Sequence, residues 1–429
     1  MLRHPGGVQG TGRHIAVIAP PVPGHYRPLS VLAAALRRLG HRVTFLHMAD
    51  AHAMVGGGAG FRAVGGGRFG PGALGPYLRR LARASGPWGL PAMIRANAGI
   101  TEMLLDELPG ALREIGAEAI IAEAAEAAGP PVARHLRLPF VTSHTGLPLN
   151  REDGVPPPFV SWRYEESRRA LRRNQAGYRV ADRLLRPISG VVERAAAVWG
   201  LDGSGGAGRY SDLLQVAQCV PGLDFPRAEL PACFRYCGPF RGAAEPTPDL
   251  PDDRPLIFCS LGSIQGNRIG AFAAMARACA DLGARAVIGH GGLLPEKAAE
   301  RIGHGALVRA FWPQEAVLAR CRAAVLHGGF NTVSDALAAG VPMVLAPIAF
   351  EQPATAARIA RTGAGRVLRG RVSRPELRRA LEPVLRDPSY AAAAARLGRE
   401  IRRAGGAELA ADLITQALTS GRTPASASA

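Results

Sequence analysis

Long apolar runs are missing from this sequence. No stretch reaches the about 18 uninterrupted apolar residues that a membrane-spanning helix needs. The first residues, MLRHPGGVQGTGR, also lack the apolar segment of a secretion signal. We therefore expect neither a transmembrane helix nor secretion, and a cytoplasmic location.

Cysteine is scarce as well, with six residues in 429 and no paired Cys-x-x-Cys spacing. The nearest two, Cys233 and Cys237, have no matching second pair, so a zinc site is not expected. A chain of this length does not need disulfides for stability. We expect a reducing compartment and no bound metal.

Acidic residues are few relative to basic ones: 34 Asp and Glu stand against 52 Lys and Arg, a formal net charge of +18. This excess favours anionic partners such as nucleotides, nucleic acid or an acidic membrane surface. A GC-rich coding sequence, which favours Arg, Ala and Gly, explains the same numbers. The charge alone therefore does not choose a partner.

Length and pattern predict two α/β domains. HIAVIAP (14–20), the loop PVPGHYR with His25, the helical pattern PLSVLAAALRRLG and RVTFLHM (42–48) form a β-α-β unit. A second series of short apolar strands begins after the Pro-rich stretch RGAAEPTPDLPDDRP. Tandem parallel sheets of this kind leave a cleft at their carboxyl ends, where ligands bind.

The predicted boundaries follow from these patterns. The glycine-rich residues 56–72 are predicted to be a mobile loop inside the first domain. In chain order we predict a flexible N-terminus (1–13), a first α/β domain (14–240), a linker (241–255), a second α/β domain (256–404), a C-terminal helix (405–420) and a disordered tail (421–429).

The stretch HGGFNTVSDALAAG joins a strand end to a helix. Gly328 and Gly329 allow close approach of a ligand to the backbone, and the helix N-terminus that follows attracts an anion. His327, Asn331 and Thr332 add hydrogen-bond donors suited to phosphate oxygens. The alternative is a simple strand-to-helix turn with Asn331 as its cap.

Residues 311–352, FWPQEAVLARCRAAVLHGGFNTVSDALAAGVPMVLAPIAFEQ, resemble the sugar-nucleotide signature of family 1 UDP-dependent glycosyltransferases, which have the GT-B fold. HIAVIAPPVPGHYRPLSVLAAALRRLGHRVTFLHMAD, LPLNRE, LDFPR, LPACF and SLGSIQGNR resemble the bacterial zeaxanthin glucosyltransferase family. The likeness runs from about residue 13 to about residue 418. It implies two Rossmann-like domains whose parallel sheets face each other across a cleft. The first (14–240) would bind the acceptor, the second (256–404) would bind the UDP-sugar, and the helix at 405–420 would pack back toward the first domain.

The resemblance also implies a donor site for UDP-glucose. Phe311 stands where the family usually has Trp, Asp335 where it has Glu, and Glu351 where it has Asp. The neighbouring Trp312 is an alternative to Phe311 for stacking on uracil, and a helix cap is the alternative role for Glu351 and Gln352. The implied donor residues are Phe311, Trp312 and Gln314 for uracil, Asp335 for ribose, Gly262, Ser263, His327, Gly329, Asn331 and Thr332 for the diphosphate, and Glu351 and Gln352 for glucose.

His25 is the candidate general base, because an imidazole titrates near neutral pH and its strand-end position would face the cleft. The family places an acid beside this histidine, and Glu123 occupies the matching slot, with Glu126 as the competing residue. The resemblance implies a single displacement with inversion, a β-glucoside product and no metal or other cofactor, since UDP-glucose is a co-substrate.

The implied acceptor is a lipophilic alcohol, first of all the carotenoid zeaxanthin; a macrolide or flavonoid is the alternative within the family. Outside it, a UDP-sugar 2-epimerase and a non-catalytic carotenoid or lipid carrier remain. No nucleic acid partner is expected. Residues 74–94, LGPYLRRLARASGPWGLPAMI, mix Arg79, Arg80 and Arg83 with Tyr77, Leu78, Leu81, Trp88, Leu90 and Ile94. They predict peripheral contact with the inner face of an anionic membrane, or else a basic helix covering the protein's own core.

Overall fold

Two fully parallel β-sheets, of seven and six strands, organise the chain. The structure is a computed structural model and describes residues 12–84, 86–201, 208–243, 245–251, 253–368 and 370–424. Helices follow the strands in both halves, so the predicted α/β fold with two Rossmann-like domains is confirmed.

The first domain has the strand order β3-β2-β1-β4-β5-β6-β7. Every residue of β1 and β4 is buried, as expected for central strands of a parallel sheet. The strands are β1 (His14–Ile18), β2 (Arg42–His47), β3 (Gly60–Ala63), β4 (Ala119–Glu123), β5 (Phe140–His144), β6 (Gln215–Ala217) and β7 (Phe234–Tyr236). The helices are α1 (Pro23–Arg38), α2 (Leu74–Ala82), α3 (Gly86–Glu114), α4 (Gly129–His135) and α5 (Arg168–Val198), with a 3₁₀ turn at Ala49–Met54.

The second domain has the strand order β10-β9-β8-β11-β12-β13. Its strands are β8 (Leu256–Ser260), β9 (Arg285–Gly289), β10 (Leu307–Arg309), β11 (Cys321–Leu326), β12 (Met343–Leu345) and β13 (Gly365–Val367). Its helices are α6 (Gly262–Gln265), α7 (Ile269–Asp281), α8 (Glu296–Glu300), α9 (Gln314–Leu318), α10 (Phe330–Ala338), α11 (Gln352–Thr362), α12 (Arg374–Arg386) and α13 (Pro388–Arg403).

The last helix, α14 (Gly406–Ser420), returns to the first domain. Thr415 is hydrogen-bonded to His41 at 2.9 Å, and Glu408 is paired with Arg38 at the end of α1. The apolar side of α14, including Ile414, belongs to the buried core that also holds β1 and α1. The first domain is thus built from both ends of the chain.

Two sequence expectations about loops were wrong. The stretch PVPGHYR is not a loop: α1 begins at Pro23, so His25 lies in its first turn. Proline fits the first helical position because its fixed φ suits the helix and its missing N–H would have no partner there. The glycine-rich residues 56–72 include β3, which pairs in parallel with β2.

The chain termini are partly described. Thr423 donates to the carbonyl of Leu213 at 2.9 Å, so the first part of the predicted tail is held against the first domain. Residues 1–11 and 425–429, on which the predictions of a flexible N-terminus and a disordered tail mainly fall, lie outside the described residues. Among the helices described, none combines the length and apolar character needed to cross a bilayer.

Candidate functional site

His25 and Glu123 meet at the carboxyl edge of the first sheet. Because β1 and β4 are parallel neighbours, the helix that follows β1 begins beside the last residue of β4, which is Glu123. Nδ1 of His25 lies 3.2 Å from Oε1 of Glu123, with 27% and 3% of the two side chains exposed. The alignment of the two groups is not that of a regular hydrogen bond.

The electrostatics of this pair favour its charged form. Burial lowers the pKa of His25, but the charge and hydrogen bond of Glu123, together with the charges of Glu351 and Glu126, outweigh it, so the net pKa lies above the ordinary 6.5. Burial raises the pKa of Glu123, and the opposing effects of His25 and of the N–H groups of Ala125 and Thr145 bring it below its ordinary value. These amides lie 2.8 and 3.3 Å from the carboxylate and fix its position.

Glu126, the competing acid, faces elsewhere. It accepts hydrogen bonds from the hydroxyl of Thr101 at 3.2 Å and from the N–H of Ala128 at 3.3 Å. Burial raises its pKa to about 7. The structure therefore places Glu123, and not Glu126, next to His25.

His327 follows β11 and is enclosed by two glycines. A Cβ atom at Gly262 or Gly329 would lie 2.6 or 2.4 Å from its Nε2, so only glycine leaves room for the ring. Gly262 also has φ +75°, a conformation that suits glycine. Burial lowers the pKa of His327 to about 4, so the ring is neutral, and its Nδ1 is buried without a partner among the described residues.

The N-terminus of α10 comes directly after this histidine. Gly329 is the residue before the helix and provides no side-chain cap, and Asn331 does not cap it either. The side-chain amide of Asn331 instead donates to the carbonyl of Gly24 in α1 at 2.8 Å. Thr332 reaches the amide oxygen of Gln314 at 3.4 Å. Ser263 lies in the single turn α6, after the neighbouring strand β8.

The two aromatic candidates differ in availability. Trp312 donates its indole N–H to the carbonyl of Ile288 at 2.9 Å, and Arg309 stacks on its ring at 4.3 Å. Phe311 is 56% exposed, and the guanidinium of Arg27, from the first domain, lies 5.6 Å from its ring centre. Phe311 is therefore the ring that remains accessible for stacking with a nucleobase.

Asp335 is held by two partners. The amide of Gln314 donates to it at 2.6 Å and the guanidinium of Arg241 at 2.7 Å. Arg241 donates as well to the backbone carbonyl of Ser334 at 2.8 Å. Burial raises the pKa of Asp335 although Arg241 acts in the opposite direction. Arg241 belongs to the predicted linker, and nothing in its sequence context indicated this contact.

Glu351 and Gln352 follow β12, and the helix begins at Gln352, one residue later than expected. Glu351 makes no side-chain cap; burial raises its pKa, and the charge of His25 opposes this. The side-chain amide oxygen (Oε1) of Gln352 accepts from the backbone N–H groups of Ile348 and Ala349 at 2.8 and 3.0 Å. Gln352 thus supports the preceding loop, whereas Glu351 faces the pair formed by His25 and Glu123.

Comparison with known proteins gives concordant matches. Residues 246–402 match the family model "UDP-glucoronosyl and UDP-glucosyl transferase". A zeaxanthin glucosyltransferase of Pseudescherichia vulneris is 36% identical over 413 residues, covering 94% of this chain and 98% of the relative. A second, from Pantoea ananas, is 35% identical over 418 residues, covering 95% and 97%.

The chain belongs to the family of UDP-dependent glycosyltransferases. The glycosyltransferase of kitacinnamycin has a TM-score of 0.72 at 22% identity, covering 95% of this chain and 99% of its own. The calicheamicin glycosyltransferase CalG4 also gives 0.72, at 23% identity, covering 96% and 100%. The GT-B fold predicted from the sequence is thereby confirmed, and the enzyme uses a nucleotide-sugar donor. Family membership sets the 2-epimerase alternative aside.

A buried ion network joins the two domains of this glycosyltransferase. Nε of Arg358, in α11, donates to Asp224 at 2.9 Å, and its guanidinium stacks on Phe225 at 4.0 Å. Asp224 also accepts from Arg227 at 3.0 Å and from the hydroxyl of Tyr236 at 3.0 Å. All the charged groups of this set are nearly inaccessible to solvent.

The sequence stretches LDFPR and LPLNRE meet in this network. Arg227 donates to the backbone carbonyls of Asn150 and Pro148 at 2.9 and 3.1 Å, and Glu152 accepts from the N–H of Ala228 at 2.7 Å. These stretches therefore build the junction between the domains of the glycosyltransferase. In the part of the chain that the structure describes, no three His, Cys, Asp or Glu side chains form a group able to hold a metal ion.

Proposed function

We propose that this glycosyltransferase transfers glucose from UDP-glucose to a hydroxyl of a lipophilic alcohol, with zeaxanthin as the acceptor, and forms a β-glucoside. The full-length identity to two zeaxanthin glucosyltransferases supports the acceptor and the sugar. The observation that carries the chemistry is the position of His25: it lies beside Glu123 at 3.2 Å and within electrostatic reach of Glu351 in the other domain.

His25 acts as the general base. Glu123 faces Nδ1, which leaves Nε2 for the acceptor hydroxyl. As the hydroxyl oxygen attacks the anomeric carbon, its proton passes to Nε2, and Glu123 stabilises the imidazolium that forms. The bond from the anomeric carbon to the diphosphate oxygen breaks with its electrons on UDP. One displacement inverts the carbon, so an α-linked donor gives a β-linked product.

The donor lies along the second sheet in this proposal. Phe311 stacks on uracil, with Trp312 holding the loop beneath it, Gln314 binds the base edge and Asp335 binds the ribose hydroxyls. The diphosphate lies at the N-terminus of α10, where Gly262, Gly329 and the neutral ring of His327 leave room for close approach. Hydrogen bonds from Ser263, Asn331 and Thr332 complete this subsite. Glu351 and Gln352 bind the glucose hydroxyls.

The charge that develops on UDP is met by these donors and by the positive end of α10, so we expect turnover without an added divalent cation. The diphosphate takes the second N–H of the Asn331 amide, whose first N–H stays on the carbonyl of Gly24. The ribose needs contacts from Asp335, whose present partners are Gln314 and Arg241, so donor binding exchanges protein contacts for ligand contacts at that position.

The test is transfer from UDP-glucose to detergent-dispersed zeaxanthin, compared with a macrolide and a flavonoid, with and without EDTA. We expect the carotenoid to be the preferred acceptor and mass spectrometry to count the added hexoses. Preference for a macrolide or flavonoid would move the enzyme to the alternative acceptor class. Binding of zeaxanthin without any transfer would make it a carrier, and loss of transfer in EDTA would refute the metal-independent mechanism.

A further inference from the structure

The sequence indicated residues 74–94 as the surface that meets a membrane, but the structure favours a different surface. Tyr77, Leu81 and Ile94, which were to supply its apolar part, are buried in the core of the first domain. Trp88 is the exception, because 87% of it is exposed. The apolar residues of 74–94 therefore mainly cover the protein's own core.

A basic surface lies instead on the long helix α5. This helix carries eight arginines and two acidic residues. Seven of the arginines are exposed, and six of these, most of which recur at intervals of three or four residues, form what we call the basic face: Arg168, Arg169, Arg172, Arg179, Arg183 and Arg186. Within the described part of the chain these six have no carboxylate at ion-pair distance, whereas the nearby Arg151 and Arg194 do.

Exposed apolar side chains accompany the basic face. Val180 is 60% exposed and Leu184 is 42% exposed, although neither has an obvious reason to avoid the core. Of the ten large apolar side chains that are exposed among the described residues, five lie on α3 and α5: Trp88, Leu171, Val180, Leu184 and Val198. A basic helix that only faced solvent would not need these exposed apolar side chains beside its arginines.

The helical rise places Trp88 and Val180 at the same end of α3 and α5. Both α3 and α5 connect parallel strands, so both run opposite to the strands and parallel to each other. Arg194 of α5 lies 3.7 Å from Glu102 of α3, which fixes their offset. Val180 and Trp88 lie equally many residues before Arg194 and Glu102, a distance of about 21 Å along each helix at the α-helical rise. This counting places Val180 beside Trp88. This end of the helices lies at the carboxyl edge of the sheet, the same edge as His25 and Glu123.

We propose that the basic face of α5, together with Trp88 and Val180, docks this enzyme on an anionic lipid bilayer. Arginines attract the anionic headgroups, while an exposed tryptophan and short aliphatic chains suit the interfacial region. The surface lies on the domain that contributes the base and opens toward the cleft. The benefit of docking rests on the lipophilic acceptor of the proposed function. An alcohol dissolved in the bilayer would reach the cleft without passing through water.

The test is flotation of the full-length protein with phosphatidylglycerol–phosphatidylcholine vesicles at low salt, beside vesicles of phosphatidylcholine alone. We expect flotation with the anionic vesicles only. The triple variant Arg172→Gln, Arg179→Gln, Arg183→Gln should bind them about 100-fold more weakly, since each interfacial arginine contributes about a factor of five. Trp88→Ser should weaken binding on its own.

A matched control removes the same charge from the other domain, through Arg371→Gln, Arg399→Gln and Arg403→Gln, which are also exposed. It should float like the parent. Failure of the intact protein to float, or equal loss in the control, overturns the proposal. A parent protein that binds duplex DNA but no vesicles, with DNA binding lost in the α5 variant, also overturns the proposal. The basic face would then be a nucleic-acid-binding surface.

Transfer to detergent-dispersed acceptor, measured on the same variants, separates this proposal from the proposed function. Retained transfer with lost flotation in the α5 variant supports docking. Flotation by a parent enzyme that transfers nothing would refute the proposed function and leave the docking surface standing.

Discussion

The carbonyl of Gly24 accepts a hydrogen bond from the side-chain amide of Asn331 at 2.8 Å. In a regular helix this carbonyl would accept the N–H of residue 28, but residue 28 is proline and has none. The proline thus frees a backbone acceptor in the turn that carries His25, and the other domain uses it. One proline in the first domain thus makes room for a contact between the helical turn that carries His25 and the first turn of α10.

Pro28→Ala should restore the helical donor and compete with Asn331. We expect kcat/KM to fall by roughly 0.5 to 1.5 kcal/mol of transition-state stabilisation, the usual net value of one hydrogen bond, with UDP affinity unchanged. The melting temperature should not fall, because alanine favours the helix interior. Unchanged turnover would mean that the contact does not position the base.

His25→Ala should reduce transfer by about 10²- to 10⁴-fold, the usual contribution of a general base, while UDP still binds. Calorimetry with UDP and single-turnover assays measure the two effects separately. Near-normal turnover at saturating donor would refute the mechanism.

Glu123→Gln should lower the plateau of kcat/KM and move its acidic limb to lower pH. The charge of Glu123 holds the pKa of His25 above 6.5, and the base works only when deprotonated, so activity rises as pH passes that value. Without this charge, burial, which is the largest single influence, lowers the pKa of His25 against the weaker effects of Glu351 and Glu126. A pH–rate profile that keeps its inflection in the variant would contradict this assignment.

Glu126→Gln should stabilise the protein at alkaline pH. The folded pKa of Glu126 is raised to about 7 from the ordinary 4.5, so the carboxyl favours folding while protonated and loses that contribution as pH rises through about 7. The difference in unfolding free energy between variant and parent should therefore grow from pH 5 to pH 8.5 by up to about 3 kcal/mol. Urea unfolding at both pH values measures it; a constant difference would show that Glu126 does not titrate there.

Asp224→Asn should cost roughly 3 to 5 kcal/mol of unfolding free energy, because it leaves Arg358 buried without a counter-charge. Replacing both partners by apolar residues, Asp224→Leu with Arg358→Met, should recover only part of the loss, because Arg227 also loses Asp224 and keeps Glu152 at 4.0 Å. Asp281→Asn, which breaks a pair with the largely exposed Arg374, is the control and should change little. Equal effects at the two sites would remove the argument from burial.

Glu351→Ala should lower kcat/KM for UDP-glucose by roughly 1 to 3 kcal/mol and reduce discrimination against UDP-galactose. UDP affinity and melting temperature should stay near those of the parent, since Glu351 caps no helix. Gln352→Ala should also lower the melting temperature, because its oxygen holds the N–H groups of Ile348 and Ala349. Unchanged sugar discrimination in both variants would leave the pair with a structural role.

Local patterns in the sequence were sufficient for the fold and for much of the candidate site. The strands read from 14–20 and 42–48 became β1 and β2, and the residues around His327 lie at a strand end before a helix. These features depend on neighbours within a few residues. The start of α1 was missed because Pro and Gly around His25 favour loops as much as first helical turns.

Contacts between distant residues left no such signal. Arg241 lies 94 positions before Asp335, and Asp224 lies 134 positions before Arg358. Each pair depends on how the two domains pack, which a single sequence does not encode at either position. The choice between core and membrane for Tyr77, Leu81 and Ile94 stayed open for a similar reason: an amphipathic helix buries its apolar side against either, and the structure places these three side chains in the core.

The return of α14 to the first domain has a consequence for synthesis of the chain. Residues Ala407 to Leu418 complete the core around β1 and α1, yet they leave the ribosome after the whole nucleotide domain. While translation proceeds, the apolar side of α1 that α14 will cover must stay open or be shielded by a chaperone. Synthesis of the first domain, which contains His25, therefore begins before that of the second domain and ends after it.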